Sequence, residues 1–137
     1  MSHNPYLLSS RPMEPIVTPI PEVADRYTIA LLKSERLDST EIDPGDMQRQ
    51  ISYYKSGLNL DDPDLNHLVD ELYKANSRIW DAEHDIRKGQ DEDLGLEEIG
   101  RRAIHIRDLN RIRMKIKNDI IDLTGDGFRE AKMNYAK

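Results

Sequence analysis

Residues 63–89, PDLNHLVDELYKANSRIWDAEHDIRKG, decide the fold, and residues 94–123, LGLEEIGRRAIHIRDLNRIRMKIKNDIIDL, repeat their logic. In the first stretch Leu65, Leu68, Leu72, Asn76, Ile79, Glu83 and Ile86 recur every three or four residues, the spacing of a helix that packs along a seam. In the second, Leu96, Ile99, Ala103, Ile106, Asn110 and Arg113 do the same. A helix over 63–88 is about 39 Å long at ~1.5 Å per residue, too long to cross a small domain, so it must run along a partner. About five residues separate it from the helix over 94–123, and so short a connection makes the two antiparallel neighbours.

Working outward, each flank supplies a shorter helix. Asp43-Pro44-Gly45-Asp46 is a start signal, with Asp43 as N-cap and Pro44 at the first helical position. Met47, Ile51, Tyr54 and Leu58 form its stripe, and Gly57 is expected to stop it in a left-handed conformation. Upstream, Pro21 opens a helix that runs to about Leu37, with Val23, Tyr27, Ala30 and Leu31 as its apolar face. Glu22 and Asp25 lie near its positive end, Lys33 and Arg36 near its negative end. Five of the seven prolines fall before residue 22 and make residues 1–20 an extended arm. Its apolar content suits docking on the body or on a protein partner. Residues 128–137 form a tail able to fold back. The expected architecture is therefore all-α: a long antiparallel helical hairpin, one additional packed helix, a short capping helix and a proline-rich N-terminal arm, with 21–137 as a single domain.

Composition narrows the function classes. The 137 residues contain no cysteine, which excludes disulfides, thiolate metal sites and thiol catalysis. The net charge of -6 speaks against nucleic-acid binding, although residues 101–117 carry seven Arg or Lys against one acid, Asp108. That run reads as a basic face paired with acidic neighbours. No apolar run approaches the roughly 20 residues of a membrane span, and MSHNPYLLSS lacks a signal-peptide core. These features point to the cytoplasm.

The seam is interrupted by polar groups, and these are the candidate site. Asn76, Trp80, Glu83 and Arg87 share one face of the third helix, Asn110, Arg113 and Lys117 one face of the fourth. Unpaired charges in a dry seam cost several kcal/mol, so these groups should pair with each other or with a ligand. Two readings stand open: a polar layer that sets helix register, as a seam Asn does in coiled coils, and a pocket in which cations hold an anionic group beside Trp80. The histidines His67, His84 and His105 are scattered without metal-ligand spacing, and a calcium loop begun at Asp122 would need an acid where Met133 stands. No metal or cofactor is expected.

Three blocks, DRYTIALLKSERL (25–37), LYKANSRIWDAEHDIR (72–87) and IGRRAIHIRDLNRIRMKIKNDI (99–120) continuing into REAKMNYA, resemble a family of short all-α proteins of bacteria and phages, a domain of unknown function often met near sugar-transfer genes. The family's recurrent polar positions correspond to Asp25, Thr28, Lys33, Glu35 and Arg36, then Trp80, Glu83 and Arg87, then Asn110, Lys115, Asn118, Glu130, Lys132 and Tyr135. Arg26 and Ile79 depart from its pattern, and the arm is additional. The resemblance implies an all-α fold and no particular reaction. The leading expectation is a non-enzymatic helical interaction protein that forms a homo-oligomer. The alternative is a ligand-binding or enzymatic protein acting on a phosphorylated or nucleotide-linked sugar. Its ligand site would be Lys33, Arg36, Trp80, Glu83, Arg87, Asn110 and Arg113, with the arginines on phosphate, Trp80 stacking and Glu83 as general base.

Overall fold

A computed structural model describes residues 17–91 and 94–129. It contains four helices: α1 (Ile20–Arg36), α2 (Pro44–Lys55), α3 (Pro63–Asp91) and α4 (Leu96–Thr124). The chain is all-α, and α3 and α4 form the expected hairpin. Near its turn, Arg102 Nη1 donates to the Asp85 carbonyl at 2.7 Å. Ile79 and Ala82 then meet Ile106 and Leu109. Farther along, Leu65, Val69, Leu72 and Ala75 share a core with Ile116 and Ile120. Of the expected 1–20 arm residues 17–20 are described: 17–19 are not helical and Ile20 already opens α1, while the fold-back expected of the tail concerns residues mostly outside the described ones.

The helix starts follow local chemistry. Asp43 accepts from the backbone N–H of Gly45 at 2.9 Å and of Asp46 at 3.4 Å, as an N-cap should. Asp62 plays the same part before α3, accepting from the Asp64 backbone N–H at 3.0 Å. At the other end, α4 stops at Gly125, whose φ of 70° is the left-handed conformation glycine enters without a Cβ clash.

Gly57 corrects the expectation placed on it. The positive-φ glycines among the described residues are Gly125 and Gly127, and α2 ends at Ser56 in a right-handed conformation. Gly57 instead permits close approach: a Cβ there would meet Val23 Cγ1 at 3.2 Å. Likewise α3 runs past Gly89, since one glycine costs a helix only about 1 kcal/mol.

α1 packs against both arms of the hairpin, while α2 packs on α1 alone. The short helix therefore caps α1. The face that α1 buries is Pro21, Ala24, Asp25, Thr28, Ala30 and Leu32. Of the expected apolar face Ala30 is buried, and Val23 and Tyr27 pack on the margin. Small side chains let α1 come close to the hairpin, and this brings a carboxylate inside. The first turn of α1 is closed from far along the chain, because Ile20 N–H donates to Asp126 Oδ2 at 2.9 Å.

Candidate functional site

The polar seam residues resolve into two structures, a closed buried layer and an open cleft beside it. The layer is built on Asp25, whose side chain is only 8% exposed. Arg113 grips it with two hydrogen bonds, Nε to Oδ1 at 3.0 Å and Nη2 to Oδ2 at 2.5 Å. Such a bidentate charge-assisted pair is the strong, geometrically specific kind. Asn76 Nδ2 donates to Asp25 Oδ1 at 3.0 Å and to Thr28 Oγ1 at 2.9 Å, and Thr28 Oγ1 donates in turn to the Asp25 carbonyl at 2.9 Å. One helical turn away, Lys117, 3% exposed, meets Glu22 Oε1 at 2.9 Å. Among the described residues no buried side-chain nitrogen or oxygen lacks a partner.

Burial alone would raise the Asp25 carboxyl. The hydrogen bonds from Arg113 and Asn76, with the charges of Arg113 and Lys117, outweigh it and hold the group below the usual aspartate value of 3.8. Asp25 is therefore an ionised carboxylate at neutral pH.

The acidic partners of the α4 cations thus come from α1 and from α4 itself. Glu22 and Asp25 take Lys117 and Arg113. Glu97 and Glu98 take Arg101, Glu98 also takes Arg102, and Asp108 lies 3.5–3.6 Å from Arg107 and Arg111. The basic run is largely neutralised at close range.

Beside the layer lies an open cleft of about 300 Å³, lined by Ile29 and Leu32 of α1, Asn76, Ile79, Trp80 and Glu83 of α3, and Asn110 and Arg113 of α4. It brings together four of the seven residues proposed for a site: Trp80, Glu83, Asn110 and Arg113. The other three do not line it. Lys33 and Arg87 are exposed. Arg36 clamps α1 to α3, bonded to Asp81 Oδ1 at 2.6 Å and to Ser77 Oγ at 2.5 Å. Beside that clamp, the Tyr73 hydroxyl donates to Glu35. A cluster of cations suited to a phosphate is accordingly not assembled in the cleft. Glu83 has no ion-pair partner among the described residues.

Ile29 and Leu32 are cleft residues that the seam pattern of the hairpin could not supply, since they belong to α1. Their four-residue-or-less spacing from Asp25 and Thr28 was the available signal. Among the described residues no group of three or more His, Asp or Glu side chains is arranged to hold a metal ion, and no helix is long and apolar enough to cross a membrane. Comparison with protein-family models, with curated proteins and with solved structures returned no match.

Proposed function

We propose that this protein is a non-enzymatic helical interaction protein that self-associates along α4. One observation carries the reading. Leu96, Ala103, Asn110 and Met114 follow each other along one side of α4, with Ile106 at the edge where it packs on Ile79 and Ala82, yet the core side of α4 is a different flank, Leu109, Ile116 and Ile120. The stripe is open at its start, where Leu96 is 87% exposed and Ala103 is exposed as well, and Ile106, Asn110 and Met114 are half-buried. A shallow groove of about 410 Å³ runs between Ala103, Ile106, Asn110 and Met114, edged by Arg107 and Arg111.

A second copy of the same stripe is the fitting cover. Apolar heptad positions bury area against a like helix, and a single Asn in the seam sets register and oligomer state at a cost in stability. Asn110 holds that place. Asp108 close to Arg107 and Arg111 moderates the repulsion two such edges would otherwise feel. Sedimentation velocity from about 1 to 100 µM should show a mass that rises with concentration, as association by mass action requires. Ala103→Glu places a charge in the groove without touching the core, so it should hold the protein monomeric with unchanged helicity. Wild-type protein that stays monomeric throughout would refute the proposal. A cytoplasmic setting fits a chain without cysteine.

The second reading, a small-molecule site, is supported by the cleft itself. In its sugar-phosphate form, which the family resemblance suggests, Glu83 would be the general base and Trp80 the stacking surface. The phosphate part has the weaker support, because Arg113 is the one proposed cation that lines the cleft and its guanidinium is already bound to Asp25.

A further inference from the structure

The charge of the cleft follows from which of its ionised groups are already matched. Arg113 and Asp25 form a bidentate pair and together contribute no net charge. Lys117 and Glu22, one turn away, cancel in the same way. Arg36 is held by Asp81 outside the cleft, and Lys33 and Arg87 do not line it. Glu83 is left to set the sign, and the sign is negative. An anion entering here would face a carboxylate with no matching cation.

The remaining walls agree with that sign. Trp80 contributes an indole, whose ring face attracts cations. Asn110 offers a carboxamide, and Ile29, Leu32 and Ile79 form an apolar floor. The volume of about 300 Å³ is at the small end of ligand sites, which suits a short chain rather than a nucleotide. We propose that the cleft binds a primary alkylammonium group, the cation lying between Glu83 and Trp80 and the hydrocarbon on the floor. A free alkylamine and the lysine side chain of a peptide share this chemistry. The inference rests on the cleft as a ligand site and not on self-association.

Trp80 is the chain's single tryptophan, so its fluorescence reports on this cleft alone. The experiment titrates full-length protein with n-pentylamine, Nα-acetyl-lysine methylamide, pentanoate and pentyl phosphate at constant ionic strength, with light scattering recorded in parallel. Pentylamine should give a saturable change that pentanoate and pentyl phosphate do not. In Glu83→Gln, an exposed and nearly isosteric change, its affinity should fall about five- to tenfold, as loss of a charge-assisted contact implies. Glu83→Asp keeps the charge and should retain most of the binding. A response to the lysine amide as well assigns the site to a peptide side chain, and a response to pentylamine alone assigns it to a free amine.

Equal affinity in Glu83→Gln would overturn the proposal, as would a response that follows a change in molecular mass. A preference for pentyl phosphate would overturn the sign while keeping the cleft as a ligand site. No saturable response to any of the four would remove the cleft reading altogether.

Discussion

Asp25→Asn tests the buried layer most directly. The substitution keeps the size of the side chain and one acceptor oxygen, but removes the charge that Arg113 grips through two hydrogen bonds. Breaking a fully buried ion pair from one side costs about 3–5 kcal/mol, because the other charge is left without a partner. Here the Arg113 side chain is 26% exposed, so water can recover part of that loss. The expected destabilisation is about 2–4 kcal/mol, a fall in the urea midpoint of roughly 1–2 M at a slope near 2 kcal/mol per M.

The pH dependence carries a sign that can be checked. The Asp25 carboxyl is held below 3.8 in the folded protein. Its contribution is therefore complete above that value and is lost as pH falls through the lower, folded-state value. Urea titrations followed by circular dichroism should find a constant gap between wild type and Asp25→Asn from about pH 7 to 5, closing below about pH 4 as the wild-type carboxyl takes up its proton. Asp25→Leu combined with Arg113→Met removes both charges and should recover more than half of the loss, since neither is then left alone. A gap below about 0.5 kcal/mol at neutral pH, or one indifferent to acid, would refute the account of the layer as an ionised, mutually dependent unit.

Three further outcomes follow from the geometry. Asp126→Ala removes the acceptor for the Ile20 N–H and should cost about 1 kcal/mol, with faster hydrogen exchange confined at first to the opening turn of α1. Gly127→Ala should destabilise by about 1–3 kcal/mol, because φ is +109° and the new Cβ would stand 3.0 Å from Pro21 Cγ; an unchanged melting temperature would contradict this. Gly100→Ala has open space around its Cβ inside α4 and should stabilise by up to about 1 kcal/mol, so thermal melts of the two alanine variants should move in opposite directions.

The number of helices, their order and most of their boundaries were legible because the signals are local. Asp43-Pro44 and Asp62-Pro63 each announce a helix through a side-chain acceptor and a pre-set φ, and the structure begins α2 and α3 at those prolines. The direction in which α4 faces was not legible. Its sequence carries two apolar stripes, one through Leu96 and Ala103 and one through Leu109, Ile116 and Ile120, with Ile106 between them, and periodicity cannot say which of them meets α3. The same ambiguity exchanged Leu68 for Val69 on α3.

The partner of Arg113 was harder still. A carboxylate near the start of α1 reads as an exposed group favoured by the helix dipole, and the pairing looked for lay between α3 and α4. The small residues around Asp25, namely Pro21, Ala24 and Thr28, were the available clue, since together they let a helix approach closely enough to bury a charge. The cleft was half legible. Trp80, Glu83, Asn110 and Arg113 share helix faces visible in the sequence, whereas Lys33, Arg36 and Arg87 were included for their charge. Charge alone does not tell where a long side chain ends.

The bond between Ile20 and Asp126 has a consequence in time. Its two residues lie 106 positions apart, and synthesis at about 5–20 residues per second separates their appearance by roughly 5–20 s. For most of that interval the first helix has neither its terminal acceptor nor the cations for Glu22 and Asp25, which α4 supplies. The first of the four helices to be translated is thus the one that must wait for the last, and a nascent chain halted before residue 113 should show α1 open to protease while the full-length chain resists.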